Sequence, residues 1–204
     1  MAVSRRLNRT RVVEAAVDMA DAVGQPSAVT LTALAESLDI RVPSLYNHVA
    51  GLEDLNQAMA IYGVQALISD LRQATAGRTG FEALLSVADG YRRYANQHPG
   101  IYPLTIRAPD PEEETLASLA EELLQMMLLL FSSLGIEGDE ALHTIRGFRS
   151  LLHGFVSLEA AEGFKMALDR ETSYQSMVIS YLRGCGLNDS AIRPWPSSPE
   201  SPDA

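Results

Sequence analysis

The sequence predicts an all-α protein, on two observations. Apolar side chains recur at helical spacing through most of its 204 residues, and no segment sustains the alternation of a half-buried strand. The interruptions are residues that stop helices or favour turns: Gly24, Gly51, His98-Pro99-Gly100, Pro109-Asp110-Pro111, Gly135 to Gly138, and Asp169-Arg170. A composition of 47% hydrophobic, 6% aromatic and 21% charged residues is that of a globular chain with a core, not of a disordered or fibrous one.

The first helix is expected over Asn8 to Val23, with Val12, Ala16, Met19 and Val23 on one face and Gly24 as its stop; Pro26 and Ser27 make the turn. Thr30 reads as the N-cap of a second, two-turn helix, with Val29 and Leu34 placed as a hydrophobic staple and Leu31, Leu34, Ala35 and Leu38 as its apolar stripe. A third short helix follows Asp39 and Ile40, with Pro43 in its first turn, where a missing N–H costs nothing, and Leu45 and Val49 facing inward. The spacing of Leu55, Met59, Tyr62, Leu67 and Leu71 predicts a long fourth helix over Leu52 to Thr75, the connector to a second region. Further helices are expected at Gly80 to Gln97, Glu112 to Leu134, Asp139 to Gly163 and Glu171 to Arg183. Pro194, Pro196, Pro199 and Pro202 among serines predict a disordered tail over 189–204, with Trp195 its one residue suited to docking.

Taken alone, the formal net charge of −10 argues against nucleic acid, yet residues 1–11 hold Arg5, Arg6, Arg9 and Arg11 and no acid. A basic arm on an otherwise acidic chain suits a phosphate backbone while keeping non-specific binding weak; a solvated tail is the plainer reading. The longest uninterrupted apolar run, Met126 to Phe131, is far below the roughly 20 residues of a membrane span, and no signal peptide is read at the amino terminus. A cytoplasmic protein is expected, its lone Cys185 a packing residue.

Function is concentrated in LTALAESLDIRVPSLYNHV, Leu31 to Val49. A helix-turn-helix needs a small residue where its helices cross, then a residue that tolerates left-handed backbone, then two apolar positions. Ala35, Asp39, Ile40 and Leu45 supply these in order. With Leu45 and Val49 buried, Arg41, Ser44, Asn47 and His48 project outward. In a major groove Asn pairs with adenine, Arg with guanine and Ser with either, while Tyr46 and His48 have the length to reach phosphates. An ordinary helical hairpin with a solvated polar face is the alternative.

This hairpin, preceded by an arginine-led helix and followed by GLEDL, resembles the DNA-binding domain of the TetR family over residues 8–60, with SLYNHVAGLEDL particularly close. The resemblance implies a three-helix DNA-binding domain, residues 1–52, on a helical ligand-binding and dimerisation domain, residues 53–188. By position, Thr30 and Thr32 touch backbone or adjacent bases; Arg41, Val42, Pro43, Ser44 and Asn47 face base edges; Tyr46 and His48 hold phosphates. Many members carry a phosphate-binding Lys where this chain has Leu52. FRSLLHGFVSLEAAEGF, Phe148 to Phe164, is similar to the WHG-like carboxy-terminal domain of one branch of that family.

Gly147, Ser150, Gly154, Ser157 and Ala161 form a stripe of small residues that permits close helix contact, and Tyr174, Met177, Val178 and Tyr181 mark the next helix as its partner. Two such helices from each subunit are expected to build a four-helix homodimer interface. Met126, Met127 and Phe131 are candidates to line an effector cavity, with Tyr94, Tyr102, His143 and His153 as its polar contacts. Glu140-x-x-His143 has di-iron spacing, but no second Glu-x-x-His and no glycine-rich phosphate loop accompany it. No catalytic residue, metal or cofactor is therefore assigned. The expected function is a ligand-responsive regulator, a repressor that binds a partly palindromic operator as a homodimer and is released by a small-molecule effector; a helical small-molecule carrier or enzyme with a structural hairpin is the alternative.

Overall fold

The computed structural model describes residues 7–187 and Trp195; Arg5 and Arg6 of the basic arm, and the tail 189–204 apart from Trp195, lie outside the described residues. Among the described residues there are nine α-helices and no strand: α1 (Arg9–Val23), α2 (Leu31–Ser37), α3 (Val42–Leu45), α4 (Leu52–Thr75), α5 (Gly80–Gln97), α6 (Tyr102–Thr105), α7 (Glu114–Ser132), α8 (Gly138–Ala160) and α9 (Arg170–Gly184). The chain divides into two compact units, one running up to Leu67 and taking in Gln97–Ala120, the other made of Ile68–Asn96 and the chain from Glu121 onward.

In the first unit Val12, Ala16, Ala20, Leu34, Leu45, Leu55, Met59 and Ile101 are fully buried in one core. Asn8 caps α1 by accepting from the Arg11 N–H at 2.9 Å, and Gly24, at φ 77°, closes it with an N–H donated to the Ala20 carbonyl. The end of α1 is held by the turn after α5. The Asp21 carboxylate accepts from the backbone N–H groups of Gly100 (2.8 Å) and Ile101 (3.0 Å) and lies 2.8 Å from His98 Nδ1. This contact seats α6, with Pro103 in its first turn, an element too short to show a helical period in the sequence. The turn at Pro26–Ala28 is a single 3₁₀ turn.

The second unit packs Leu84, Tyr94, Phe131, Phe148, Leu152, Tyr174, Val178 and Leu182. Arg92 of α5 donates twice to Glu159 (2.9 and 2.8 Å) and once to Glu171 (2.6 Å), with its guanidinium 4.8 Å from the Tyr174 ring centre and 5.4 Å from that of Phe155. This pins α5 to α8 and α9. With Arg92 15% and Glu159 10% exposed, removing one of that pair would leave the other's charge poorly solvated.

α8 stops at Ala160, three residues before the expected Gly163. Glu162 takes a left-handed φ of 52°, its N–H reaching the Glu159 carbonyl, while the Gly163 N–H reaches that of Leu158 at 2.7 Å. That paired closure satisfies the Leu158 and Glu159 carbonyls at the helix end. α7 begins at Glu114, two residues later than expected, and carries a window of mean hydropathy 1.3 that is 17% buried, long and apolar enough to cross a bilayer. Glu121 and Glu122 lie within that helix, and Glu122 pairs with Arg72 at 2.7 Å. In a bilayer each charge would cost about 3 kcal/mol.

Candidate nucleic-acid interface

The hairpin is built by local chemistry first. Thr30 accepts the Ala33 N–H at 3.1 Å and so starts α2, and Leu34 and Ala35 bury the inner face. Asp39 then adopts φ 53°, the left-handed conformation the turn requires, and the Ile40 N–H returns to the Ala35 carbonyl at 3.0 Å. After Arg41 the chain enters α3, which is four residues long and continues as turns: the His48 and Val49 N–H groups both reach the Leu45 carbonyl, at 2.8 and 3.0 Å. Leu45 and Val49 are buried.

What remains outside is a polar surface. Thr30, Thr32, Arg41, Pro43 and Asn47 are exposed, and Tyr46 is 56% exposed, a large share for an aromatic side chain with no core to fill. Ser44 and His48 are half-buried, and half-buried Val42 packs against the core of the first unit. An exposed amide (Asn47), guanidinium (Arg41) and hydroxyl (Tyr46) on the flanks of one short helix can donate to and accept from base edges and phosphates, and threonines at a helix start can reach phosphate oxygens.

One feature of this site was hidden in the sequence. Arg9, read there as part of the basic arm, forks onto Asp54 at 2.7 and 2.6 Å and donates to the His48 carbonyl at 2.9 Å; Asp54 also accepts the Ala50 N–H at 2.8 Å. Arg9 thus clamps the turn after α3 to the start of α4, across a long stretch of chain, a separation at which no local spacing rule operates. The Arg9 hydrogen bonds hold the Asp54 carboxyl down at about 2, against an ordinary 3.8. Because the folded value is depressed, the pair stabilises fully above about 3.8 and is lost as pH falls through about 2. Asp54→Asn should therefore cost on the order of 1 kcal/mol at neutral pH, the pair being part-exposed. In acid unfolding, the gap to the parent protein should close toward pH about 2, and a gap independent of pH would show that the ion pair is not its source.

The residues nominated for an effector site are dispersed. Tyr94, Met127 and Phe131 are buried in the second unit, where Phe131 meets Phe148 edge-on at 6.1 Å; Met126 is half-buried there and His143 is exposed. His153 is half-buried with the Ser157 hydroxyl 3.4 Å from its Nδ1, and Tyr102 belongs to the first unit. A cavity of about 610 Å³ in the first unit is lined by Leu52, Asn56, Gln57, Leu104 and Arg107 among others, and one of about 260 Å³ in the second by Phe155, Phe164, Met166 and Leu168. None of the nominated residues lines either.

The residues nominated for the homodimer interface divide. Tyr174 (1% exposed) and Val178 (0%) are buried in the subunit's own core, Tyr174 donating its hydroxyl to the Ala88 carbonyl at 2.6 Å. Gly147 is small for an internal reason: a Cβ there would stand 2.2 Å from the Tyr181 hydroxyl, which donates to the Thr144 carbonyl. Ser150 and Ala161 are exposed, and Gly154, Ser157, Met177 and Tyr181 are half-buried. Ala161 follows the helix end as its cap.

Residues 84–181 match the family described as tetracyclin repressor-like, C-terminal domain. The chain is 37% identical over 182 residues to the helix-turn-helix transcriptional regulator Rv0681 of Mycobacterium tuberculosis, covering 88% of this chain and 82% of that one. It is 31% identical over 187 residues to the helix-turn-helix transcriptional regulator YobS of Bacillus subtilis, covering 91% and 96%. Its fold resembles that of a TetR point variant from Acinetobacter baumannii, solved in complex with minocycline, with a TM-score of 0.61 at 18% identity over 88% of this chain and 96% of that one.

Proposed function

The chain belongs to the TetR family of helix-turn-helix transcriptional regulators, and from that premise we propose that it is a repressor that binds a partly palindromic operator as a homodimer and leaves it when a small molecule binds. The observation that carries this reading is the exposed polar face of α3 and its flanks, held in place by the buried Leu45 and Val49 and by the Arg9 clamp. Asn47, Arg41 and Ser44 read bases; Tyr46, His48, Thr30 and Thr32 hold the backbone. Such a protein works in the cytoplasm, where its operator lies, and needs no catalytic residue, metal or cofactor.

A palindromic operator calls for two copies of the hairpin related by a two-fold axis. The exposed and half-buried members of the small-residue stripe, Ser150, Gly154, Ser157 and Ala161, together with Met177 and Tyr181, support α8 and α9 as the surface on which the copies meet. The TetR variant whose fold this chain resembles was solved with minocycline, and a comparable small-molecule effector in the larger helical region is proposed here. Its coupling to DNA runs in both directions: an effector that weakens operator binding is itself released by operator by the same factor, typically about 1–3 kcal/mol.

Gly154→Leu tests the dimer. Nothing lies within 4 Å of the position its Cβ would take, so the subunit tolerates the side chain while a partner helix at close approach does not. The variant should sediment as a folded monomer and lose operator repression in a reporter assay; a dimer of unchanged affinity would place the interface elsewhere.

A further inference from the structure

Trp195, the only tryptophan in the chain, lies well past the end of α9, yet it has a defined seat in the second unit. Its ring meets Tyr174 of α9 edge-on, with centroids 6.1 Å apart and planes at 66°. Tyr174 is itself fixed by its hydroxyl bond to the Ala88 carbonyl of α5 and by the Arg92 guanidinium over its ring. The indole nitrogen is buried and meets no acceptor at hydrogen-bonding geometry, although it stands close enough to Asp89 of α5 to act on that carboxyl. Burial pushes the Asp89 carboxyl up, and Arg93, then the indole N–H, draw it back down. A large aromatic ring with one unspent donor beside a carboxylate is the chemistry of an anchor: the ring supplies apolar area and edge-to-face contact, and a small rotation completes a charge-assisted hydrogen bond.

We propose that α5 and α9 form a docking seat for the chain's own carboxy-terminal segment, with Trp195 as the anchor, Tyr174 as the ring it packs on and Asp89 as the acceptor of its N–H. The occupant is the same chain. The link from Leu187 is short, which places the ring near its seat at an effective concentration of roughly millimolar, so modest contact suffices to keep it docked. Docked, Trp195 ties α9 to α5 alongside the Arg92 pairs, and it stiffens one of the two helices proposed to meet the partner subunit.

The single tryptophan makes the test direct, in the full-length protein without ligand or DNA. Its emission should lie to the blue of that of N-acetyltryptophanamide, and iodide should quench it several-fold less than the free amide. Tyr174→Phe keeps the ring and should leave both readings unchanged. Tyr174→Ala and Asp89→Ala should move them toward those of the free amide while far-UV circular dichroism is retained; if Tyr174→Ala does not fold, the parent protein, Tyr174→Phe and Asp89→Ala decide. Quenching of the parent protein as strong as that of the free amide overturns the proposal. So does a protected tryptophan indifferent to Asp89→Ala and to a folded Tyr174→Ala, since the seat then lies elsewhere. Emission that changes on dilution through dimer dissociation also overturns it, by placing the tryptophan on the partner copy.

Discussion

Gly100→Ala should destabilise the first unit by about 3 kcal/mol or more, the upper end of what overpacking costs. A Cβ at Gly100 would stand 2.0 Å from the Ala20 carbonyl carbon, 2.1 Å from its oxygen and 2.4 Å from the Asp21 nitrogen, all backbone atoms at the end of α1. No side-chain rotation relieves such a contact. The turn has to lift from α1, and in lifting it gives up the two N–H bonds from Gly100 and Ile101 to the Asp21 carboxylate and the burial of Ile101. Asp21→Asn, which keeps an acceptor oxygen but loses the charge, should cost less, about 1 kcal/mol. Urea unfolding followed by far-UV circular dichroism measures both; an unchanged midpoint for Gly100→Ala would mean that the turn does not approach α1 this closely.

The second large effect separates folding from reading in α3 and the turn that follows it. Leu45 is fully buried, so Leu45→Ala should cost about 2–5 kcal/mol of stability through lost burial and the cavity left behind. Asn47, two residues on, is exposed, and Asn47→Ala should leave stability within about 0.5 kcal/mol. Its effect belongs to DNA: about 1–3 kcal/mol at one base pair, with the preference there relaxed. With Tyr46 in its proposed role of phosphate contact, Tyr46→Phe should weaken all sequences by a similar factor and leave preference intact. Thermal unfolding and operator titration on the same three variants give the comparison. A folded Asn47→Ala protein with undiminished affinity and preference would remove α3 from the reading role.

Much of this fold was legible because its signals are local. Thr30 as N-cap, Gly24 as a left-handed stop, Asp39 as the left-handed turn residue, and the limits of α4 and α5 all follow from a few neighbouring residues, and the structure has them where the spacing puts them. The hairpin that places Asn47 outside and Leu45 inside is of this kind. What the sequence concealed is made by residues far apart. Arg9 reads as one more basic residue until Asp54 is found against it, and no local signal marks Asp21 as the acceptor for the Gly100 and Ile101 N–H groups.

The carboxy-terminal helices show a different limit. α8 is apolar over much of its circumference, so periodicity could not say which face turns to the subunit and which to solvent. Gly147 reads as one step of a stripe for a partner and instead makes room for Tyr181, while Tyr174 and Val178 point to their own core. The end of α8 was set by Glu162 in a left-handed conformation, which composition alone would not select.

The most direct test of sequence-specific DNA binding through α3 is selection of DNA from a random pool by the full-length protein, at low and moderate salt, repeated with Asn47→Ala. The assignment predicts a partly palindromic consensus from the parent protein and, from the variant, the same consensus with information lost at one symmetry-related pair of positions. Recovery of no consensus at either salt, or one that Asn47→Ala leaves unchanged, would contradict it.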